Sequence, residues 1–292
     1  MSKTERRIFV SDHDGTLTDA DQEALHYDEI ALAYLVKALG VREEELAVML
    51  TEAKAEIKRK PIEYGWKMGG FIVAPATADH YVFNQTALAM VIDRLRTGTL
   101  VKSSRVPTVD EQPEFANQFF YNTSAVLAKS GSFYRAGAEA YIRELSEAGD
   151  FVIVTNSKPD SVATKLRGLL GDAASELKLV GNARKYVVDT DWVGVVPTGL
   201  TDLPGFPRGV YLQRKTYYET LAKLAEGDMS RIAVCGDIPE LDTLMVDFLG
   251  CRTAMIQGGT STPWELNYYM NGDPKRFVSS QLELISAWLA KK

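Results

Sequence analysis

The sequence predicts an α/β protein, with a doubly wound parallel sheet into which a helical domain is inserted. Three observations predict this fold: a short buried strand at residues 6–11, helices without a strand from residue 21 to about 130, and alternating strands and helices from residue 131 onward. Such alternation builds a parallel sheet with helices on both faces and right-handed crossovers. Because the first strand alone has nothing to pair with, it is expected to join that sheet.

The inserted block is predicted to be helical because its apolar residues recur at helical spacing. Its helices are expected at residues 21–39, 42–59, 78–96 and 111–128. Residues 64–75, rich in glycine and aromatic side chains, are expected to form a loop. The predicted domains are therefore an α/β core of residues 1–19 and 131–292, and a helical cap of residues 20–130.

The remaining elements of the core are predicted from apolar, β-branched runs and from helical periodicity. Strands are expected at residues 151–156, 177–181, 186–188, 231–235 and 253–257. Helices are expected at residues 136–148, 159–170, 215–226, 239–249 and 280–290. Residues 194–210, rich in proline and glycine, predict a long loop.

Composition and charge exclude several classes of protein. The chain has 292 residues, 46% hydrophobic and 25% charged, which is a globular balance in a chain long enough for two domains. Its net charge of −6 disfavours nucleic acid as a partner. The two cysteines lie in apolar runs and indicate buried thiols in a reducing compartment. Without a signal peptide or a bilayer-length apolar run, the sequence predicts a soluble, cytoplasmic protein with no membrane partner.

Polar residues follow three of the predicted strands, where ligands of parallel sheets bind. In chain order they are Asp12-His13-Asp14-Gly15-Thr16, then Thr155-Asn156, then Gly236-Asp237 with Asp242 a helical turn further on. Carboxylates gathered this closely repel each other, so a cation must compensate. Oxygen ligands without histidine or cysteine select Mg²⁺ over zinc. Lys215, which begins the helix before the strand at residue 231, is a second candidate compensator.

These residues resemble the four motifs of the haloacid dehalogenase-like (HAD) superfamily, in the family order. The motifs are DHDGTLTD at residues 12–19, FVIVTN at 151–156, Lys215, and GDIPELD at 236–242. The resemblance covers residues 6–20 and about 131–257, and implies a Rossmann-like core. Family members often carry a cap domain at the position of the helical block.

The resemblance implies a magnesium-dependent phosphatase that acts on a small phosphorylated metabolite. Asp12 would be the nucleophile and form an aspartyl-phosphate. Asp14 would serve as general acid and then as base, a task that suits a raised pKa. Magnesium would be held by Asp12, Asp237 and the backbone carbonyl of Asp14. Asp242 would orient the lysine or a metal-bound water.

The same resemblance assigns the phosphate contacts. Thr155 would donate a hydrogen bond to a phosphate oxygen, and Lys215 would neutralise its charge. Asn156 and the backbone N–H groups of the turn at Gly15 and Thr16 could help. The position of Lys215, 22 residues before Asp237, favours it over Lys185, 52 residues before, because one helix and one strand take roughly 20 residues. His13 either faces the cap and touches the leaving group or packs beneath the cap.

Other interpretations stay open at this point. The acidic residues could serve a turn or a helix N-terminus, Thr155-Asn156 could cap a helix, and Lys215 could be a solvated lysine. The same site could transfer phosphate within a sugar phosphate instead of releasing it. A dehalogenase needs the nucleophile but not the acid at Asp14, and a binding module needs neither. The sequence leaves the substrate and the oligomeric state undetermined.

Overall fold

The structure of the protein, a computed structural model, describes residues 6–98 and 105–291. Their strands are β1 (Ile8–Ser11), β2 (Gly65–Met68), β3 (Phe71–Pro75), β4 (Asp150–Val154), β5 (Lys178–Val180), β6 (Leu200–Thr201), β7 (Val210–Tyr211), β8 (Ile232–Gly236), β9 (Arg252–Ile256) and β10 (Arg276–Ser279). Six of them form one sheet in the order β10-β9-β8-β1-β4-β5, in which every neighbouring pair is parallel. This confirms the predicted doubly wound parallel sheet.

Strand β1 lies in the middle of this sheet. Its last residue, Ser11, pairs with Ile153 of β4 on one side and with Cys235 of β8 on the other. The chain adds β4 and β5 on one side of β1 and β8, β9 and β10 on the other, so the topological switch point lies beside β1. Ligand sites of open α/β sheets lie at this point, outside the carboxyl ends of the strands.

Helices accompany the strands along the chain. They are α1 (Ala20–Leu39), α2 (Glu43–Arg59), α3 (His80–Thr97), α4 (Gln112–Leu127), α5 (Ala138–Ala148), α6 (Pro159–Leu170), α7 (Lys215–Leu224), α8 (Pro239–Asp242), α9 (Leu244–Phe248), α10 (Pro263–Tyr269) and α11 (Leu282–Ala290). Both faces of the sheet are covered: Ile8 and Val10 belong to one apolar core and Phe9 to a second. Burial on both faces explains why the strands are apolar without alternation. Among the described residues, no helix has the length and apolar character needed to cross a bilayer.

The chain divides into two compact units. One, the α/β unit, contains residues up to 20, residues 67–74 and residues from 132 onward; the other, the helical unit, contains residues 21–66 and 75–131. The predicted domains differ from this division at residues 67–74, which group with the α/β unit although the prediction places them in the cap. That the helical unit acts as a cap stays a prediction.

The helical unit has its own buried interior. Tyr27 of α1 is fully buried, and its hydroxyl accepts a hydrogen bond from Thr123 of α4 at 2.9 Å. Asp28, the next residue of α1, accepts a hydrogen bond from Asn84 of α3 at 3.0 Å and pairs with Lys54 of α2 at 2.6 Å. Hydrogen bonds between helices satisfy polar groups that would otherwise be costly to bury.

Three predicted elements are wrong. The loop expected at residues 64–75 is the hairpin β2–β3, whose turn is formed by Gly69 and Gly70, both with positive φ. The strand expected at residues 186–188 is absent from this part of the structure, because the backbone N–H of Val187 bonds locally to the carbonyl of Arg184. The helix expected at residues 239–249 is two short helices, α8 and α9, separated at Thr243. Strand β10 and helix α10 have no counterpart in the prediction.

Candidate active site

The loop after β1 holds Asp12 at the carboxyl edge of the sheet. The backbone N–H of Asp12 donates to the carbonyl of Cys235 at 2.9 Å, which extends the ladder with β8 by one residue. The carbonyl of His13 then accepts hydrogen bonds from the N–H groups of Leu17 (2.9 Å) and Thr18 (3.1 Å), and these bonds close a tight turn. The position of Asp12 is therefore fixed by backbone hydrogen bonds on both sides.

Gly15 allows this turn to approach Asp237. Its φ is +78°, and a Cβ atom at this position would overlap the carboxylate of Asp237. The Gly15 carbonyl accepts two hydrogen bonds from Arg135, and its N–H donates to the hydroxyl of Thr18 at 2.9 Å. The hydroxyl of Thr16 donates to Asp237 Oδ1 at 3.1 Å. Here the Gly15 N–H and the Thr16 hydroxyl are thus bonded within the protein, and phosphate binding by this turn stays a prediction.

Three carboxylates meet at this edge of the sheet. Asp12, Asp237 and Asp242 each offer an oxygen atom, and these oxygens all lie within 4.8 Å of one another. Burial raises the pKa of Asp12 to about 7, although the nearby ammonium of Lys185 acts in the opposite direction. Burial also raises the pKa of Asp237 well above its ordinary value, and the charges of Asp242 and Asp12 add to this effect. Asp12, Asp237 and Asp242 form a cluster of oxygen donors with a net negative charge, which suits a hard divalent cation.

Lys185 is the lysine that contacts these carboxylates. Its side chain is fully buried, with Nζ 2.5 Å from Asp12 Oδ1 and 2.6 Å from Asp242 Oδ1. Burial would lower its pKa, but the two carboxylates outweigh burial and raise it. The Lys185 backbone N–H donates to Asn156 Oδ1 at 2.7 Å, so Asn156 positions the lysine. Asp242 therefore contacts Lys185 and not Lys215, and its role in orienting a lysine or a metal-bound water stays a prediction.

The preference for Lys215 over Lys185 is corrected by this placement. Lys215 is exposed as the first residue of α7, whereas Lys185 lies five residues beyond the end of β5. Distance along the chain from Asp237 was misleading, because residues 186–214 contain a long excursion with the small β6–β7 pair. The signal that identifies Lys185 is its position after a strand, since β5 ends beside β4 at the same edge of the sheet.

Side chains from several elements contact the carboxylate of Asp14, and two of them, Ser157 and Lys165, are not among the predicted site residues. Its Oδ1 lies 3.0 Å from His13 Nδ1 and 3.2 Å from Lys165 Nζ. Its Oδ2 accepts hydrogen bonds from Ser157 at 2.6 Å and from Thr155 at 3.4 Å. Ser157 directly follows Thr155-Asn156 and could have been found as a polar position after β4, whereas Lys165 lies in the middle of α6 and carries no such signal.

The expected raised pKa of Asp14 is wrong in direction. Burial alone would raise the pKa of Asp14, but the hydrogen bonds from His13 and Ser157 and the charge of Lys165 together hold it well below its ordinary value. The carboxylate form of Asp14 is therefore the stable one in this arrangement. His13 itself is fully buried, and its Nε2 lies 3.3 Å from the hydroxyl of Tyr134. Which of its two expected placements relative to the cap it takes stays a prediction.

Substitution of Gly15 by alanine tests the packing of this loop against Asp237. We expect Gly15→Ala to weaken divalent-cation binding at the acid cluster by about 10–100-fold, since the new Cβ would displace the Asp237 carboxylate and changes to the positioning of metal ligands have effects of this size. Gly227→Ala is the matched control, because Gly227 also has positive φ (+89°) but faces open space. Calorimetric titration with Mg²⁺ gives the comparison. Equal effects of the two substitutions would mean that backbone strain, and not the clash, is responsible.

Comparisons with known proteins support the fold. No family model matches the chain, and no curated protein does. Among solved structures, the HAD-hydrolase YfnB from Bacillus subtilis, solved bound to magnesium, is 14% identical, with a TM-score of 0.51 over 98% of this chain and 99% of that one. The haloacid dehalogenase-like protein SP0104 from Streptococcus pneumoniae is also 14% identical, with a TM-score of 0.51 over 99% of both chains. A haloacid dehalogenase-like hydrolase from Bacteroides fragilis is 13% identical, with a TM-score of 0.50 over 96% of this chain and 99% of its own.

Proposed function

Because the chain has the fold of the haloacid dehalogenase-like hydrolases, we propose that it is a magnesium-dependent phosphatase that hydrolyses a small phosphorylated metabolite through an aspartyl-phosphate on Asp12. The observation that carries this proposal is the cluster of Asp12, Asp237 and Asp242, whose carboxylate oxygens lie within 4.8 Å of one another and in which Asp12 and Asp242 contact the ammonium of Lys185. Buried charge of this kind is costly unless it serves a ligand, and here it lies at the topological switch point.

Magnesium fits the donor set. Asp12 and Asp237 would hold the ion through carboxylate oxygens, and the backbone carbonyl of Asp14 would be a further ligand. The cluster supplies oxygen donors and excess negative charge, and the similar B. subtilis hydrolase was solved with magnesium bound. When bound, the ion neutralises phosphate charge, so that one anion can approach another.

In the first step, a carboxylate oxygen of Asp12 attacks phosphorus and the bond from phosphorus to the leaving oxygen breaks. Asp12 needs no base for this attack, because a carboxylate is already nucleophilic when ionised. Lys185 stabilises the charge that develops on the phosphoryl oxygens, since its ammonium lies 2.5 Å from Asp12 Oδ1. Asp242 holds this ammonium from the other side at 2.6 Å.

In the second step, water attacks phosphorus and the bond from phosphorus to Asp12 breaks, which releases inorganic phosphate. Asp14 accepts the proton of this water, a role that suits a side chain held as a carboxylate. In the first step Asp14 would carry a proton to the leaving oxygen, and its hydrogen bonds from Ser157 and Lys165 would have to exchange for bonds to substrate. Thr155, whose hydroxyl lies 3.4 Å from Asp14, would donate to a phosphoryl oxygen.

The rival reactions use the same nucleophile. Transfer of phosphate within a sugar phosphate would need water to be excluded from the second step. Dehalogenation does not use an acid at position 14, and the four donors gathered on Asp14 favour phosphate chemistry over it.

Metal removal and a choice of substrates test the proposed function. We expect p-nitrophenyl phosphate to be hydrolysed with Mg²⁺, with activity lost in EDTA and restored by added Mg²⁺, because the acid cluster repels the phosphate when no cation is bound. Release of phosphate from p-nitrophenyl phosphate and release of chloride from 2-chloropropionate are measured in parallel. Chloride release without phosphate release would replace the phosphatase by a dehalogenase, and isomerised sugar phosphate without free phosphate would indicate a mutase.

A further inference from the structure

Arg214 is a buried cation with unused hydrogen-bond donors. It immediately precedes α7 and is only 1% exposed. One of its nitrogens, Nη2, donates to the carbonyl of Val73 at 3.1 Å. Its Nε and Nη1 have no hydrogen-bond partner among the described residues. Because buried N–H groups are almost always bonded, the two nitrogens indicate that an acceptor is missing from the site.

The surrounding charges leave Arg214 without a carboxylate of its own. Glu240 attracts it, but both oxygens of Glu240 are held by Arg208 Nη2, at 2.6 and 2.8 Å. Burial lowers the pKa of Arg214 to about 10, with Glu240 and Arg208 acting in opposite directions. The guanidinium therefore keeps its charge at neutral pH. Glu240 is hydrogen-bonded to Arg208 and not to Arg214, so an anionic ligand would supply the acceptor that Nε and Nη1 of Arg214 lack.

Arg214 is connected to the candidate active site through Tyr217. Tyr217, one helical turn further along α7, donates its hydroxyl to the carbonyl of Asp242 at 3.0 Å, and its ring lies 5.7 Å from Lys185 Nζ. Glu240 belongs to α8 and lies between Asp237 and Asp242 in the sequence. An anion bound at Arg214 would therefore be a neighbour of the reacting phosphate.

Strand β3 contacts Arg214 in this structure. Val73, whose carbonyl accepts the hydrogen bond from Arg214, belongs to β3. Phe71 of the same strand packs edge-on against Tyr211 of β7, with ring centroids 5.0 Å apart. Residues 67–74, which contain most of this hairpin, group with the α/β unit. The backbone carbonyl of Val73 thus occupies a place that a stronger, charged acceptor could take.

We propose that Arg214 binds a second anionic group of the substrate, a carboxylate or a second phosphate, and that the hairpin segment at residues 71–74 moves aside to admit it. This inference rests on the proposed function and narrows it: the substrate is a phosphate ester of a molecule that carries another acidic group. Either group suits a guanidinium, because both carboxylate and phosphate carry a pair of oxygen atoms that can accept hydrogen bonds from two of its N–H groups.

Matched pairs of synthetic esters test the proposal on the magnesium-loaded enzyme. The pairs are alkyl monophosphates with chains of two to six carbons, the corresponding ω-carboxyalkyl phosphates, and the corresponding alkanediol bisphosphates. We expect kcat/KM to be at least about tenfold higher for one anionic series at its best chain length than for the plain alkyl ester, as a charge-assisted contact implies. The series that gains more identifies carboxylate or phosphate as the second group.

Substitution of Arg214 supplies the second test. Arg214→Gln is expected to remove the preference, and Arg214→Lys to keep part of it. The readout is the ratio of the two kcat/KM values, because a general loss of folding or metal binding cancels in the ratio. Arg252→Gln, a matched change at the start of β9 and so at the other end of the strands, should leave the ratio unchanged. Equal kcat/KM for plain and anionic esters in the unmodified enzyme, or an unchanged ratio in Arg214→Gln, would overturn this inference and leave the proposed phosphatase function intact. If no ester of any series is hydrolysed, both the inference and the proposed function are overturned.

Discussion

Asp12→Asn is expected to reduce phosphatase kcat by at least about 10⁴-fold, because an amide neither attacks phosphorus nor forms an acyl phosphate, and loss of a nucleophile has effects of this size. The substitution preserves the shape of the side chain and removes one charge from a crowded acidic cluster. Since burial disfavours the ionised form of Asp12, the variant should be at least as resistant to thermal unfolding as the parent. Stopped-flow measurement of phosphate release and a thermal melt measure the two effects separately.

The control for this variant is Asp150→Asn. Asp150 is the first residue of β4 and so lies at the amino-terminal ends of the strands, away from the candidate site. Its surface ion pair with Arg6 (3.3 Å) contributes little to stability. Its activity should stay near that of the parent. Phosphate release within tenfold of the parent in Asp12→Asn would remove Asp12 as nucleophile, and the mechanism with it.

Lys185→Met is expected to lower kcat/KM by about 10²–10³-fold, the size of loss found when one preorganised electrostatic contact is removed. The ammonium lies between Asp12 and Asp242, so its loss leaves two buried carboxylates without their shared cation. Breaking a buried ion pair from one side typically costs about 3–5 kcal/mol of stability. Activity is therefore measured at a temperature at which circular dichroism shows the variant to be folded.

Lys215→Met is the matched control and also decides between the two lysines. Lys215 is exposed at the start of α7, so this variant should retain activity and stability. Lys185→Arg adds a second comparison, because it keeps the charge but cannot reproduce the compact ammonium held at 2.5 and 2.6 Å. The reverse result, a loss in Lys215→Met and none in Lys185→Met, would return the phosphate-binding role to Lys215.

Several features of the fold followed from local patterns. The apolar runs that became β1, β4 and β8 have no alternation because both of their faces are buried, and buried parallel strands are recognised in this way. The resemblance of the motifs to the haloacid dehalogenase-like superfamily is confirmed at the level of the fold by the solved structures. The hairpin β2–β3 was missed because Gly69-Gly70 lies between short runs that do not alternate clearly between polar and apolar residues.

At the candidate site, the position of the carboxylates was predicted from the sequence, but the lysine and the pKa of Asp14 were not. The meeting of Asp12 with Asp237 and Asp242 was expected, because carboxyl ends of neighbouring parallel strands share one edge of a sheet. The lysine was misassigned because separation along the chain does not measure distance in space once a long excursion lies between two elements. The pKa of Asp14 was predicted in the wrong direction because its donors come from separate elements.

The sequence by itself determined the parallel sheet and the acidic residues at its carboxyl edge, because both depend on local order along the chain. Only the tertiary structure decided that Lys185 neutralises this edge, that Asp14 is held as a carboxylate, and that Arg214 is buried with unused donors. These properties depend on burial and on contacts between segments that lie far apart in sequence. Such contacts form only when the chain is folded, and no local pattern of residues encodes them.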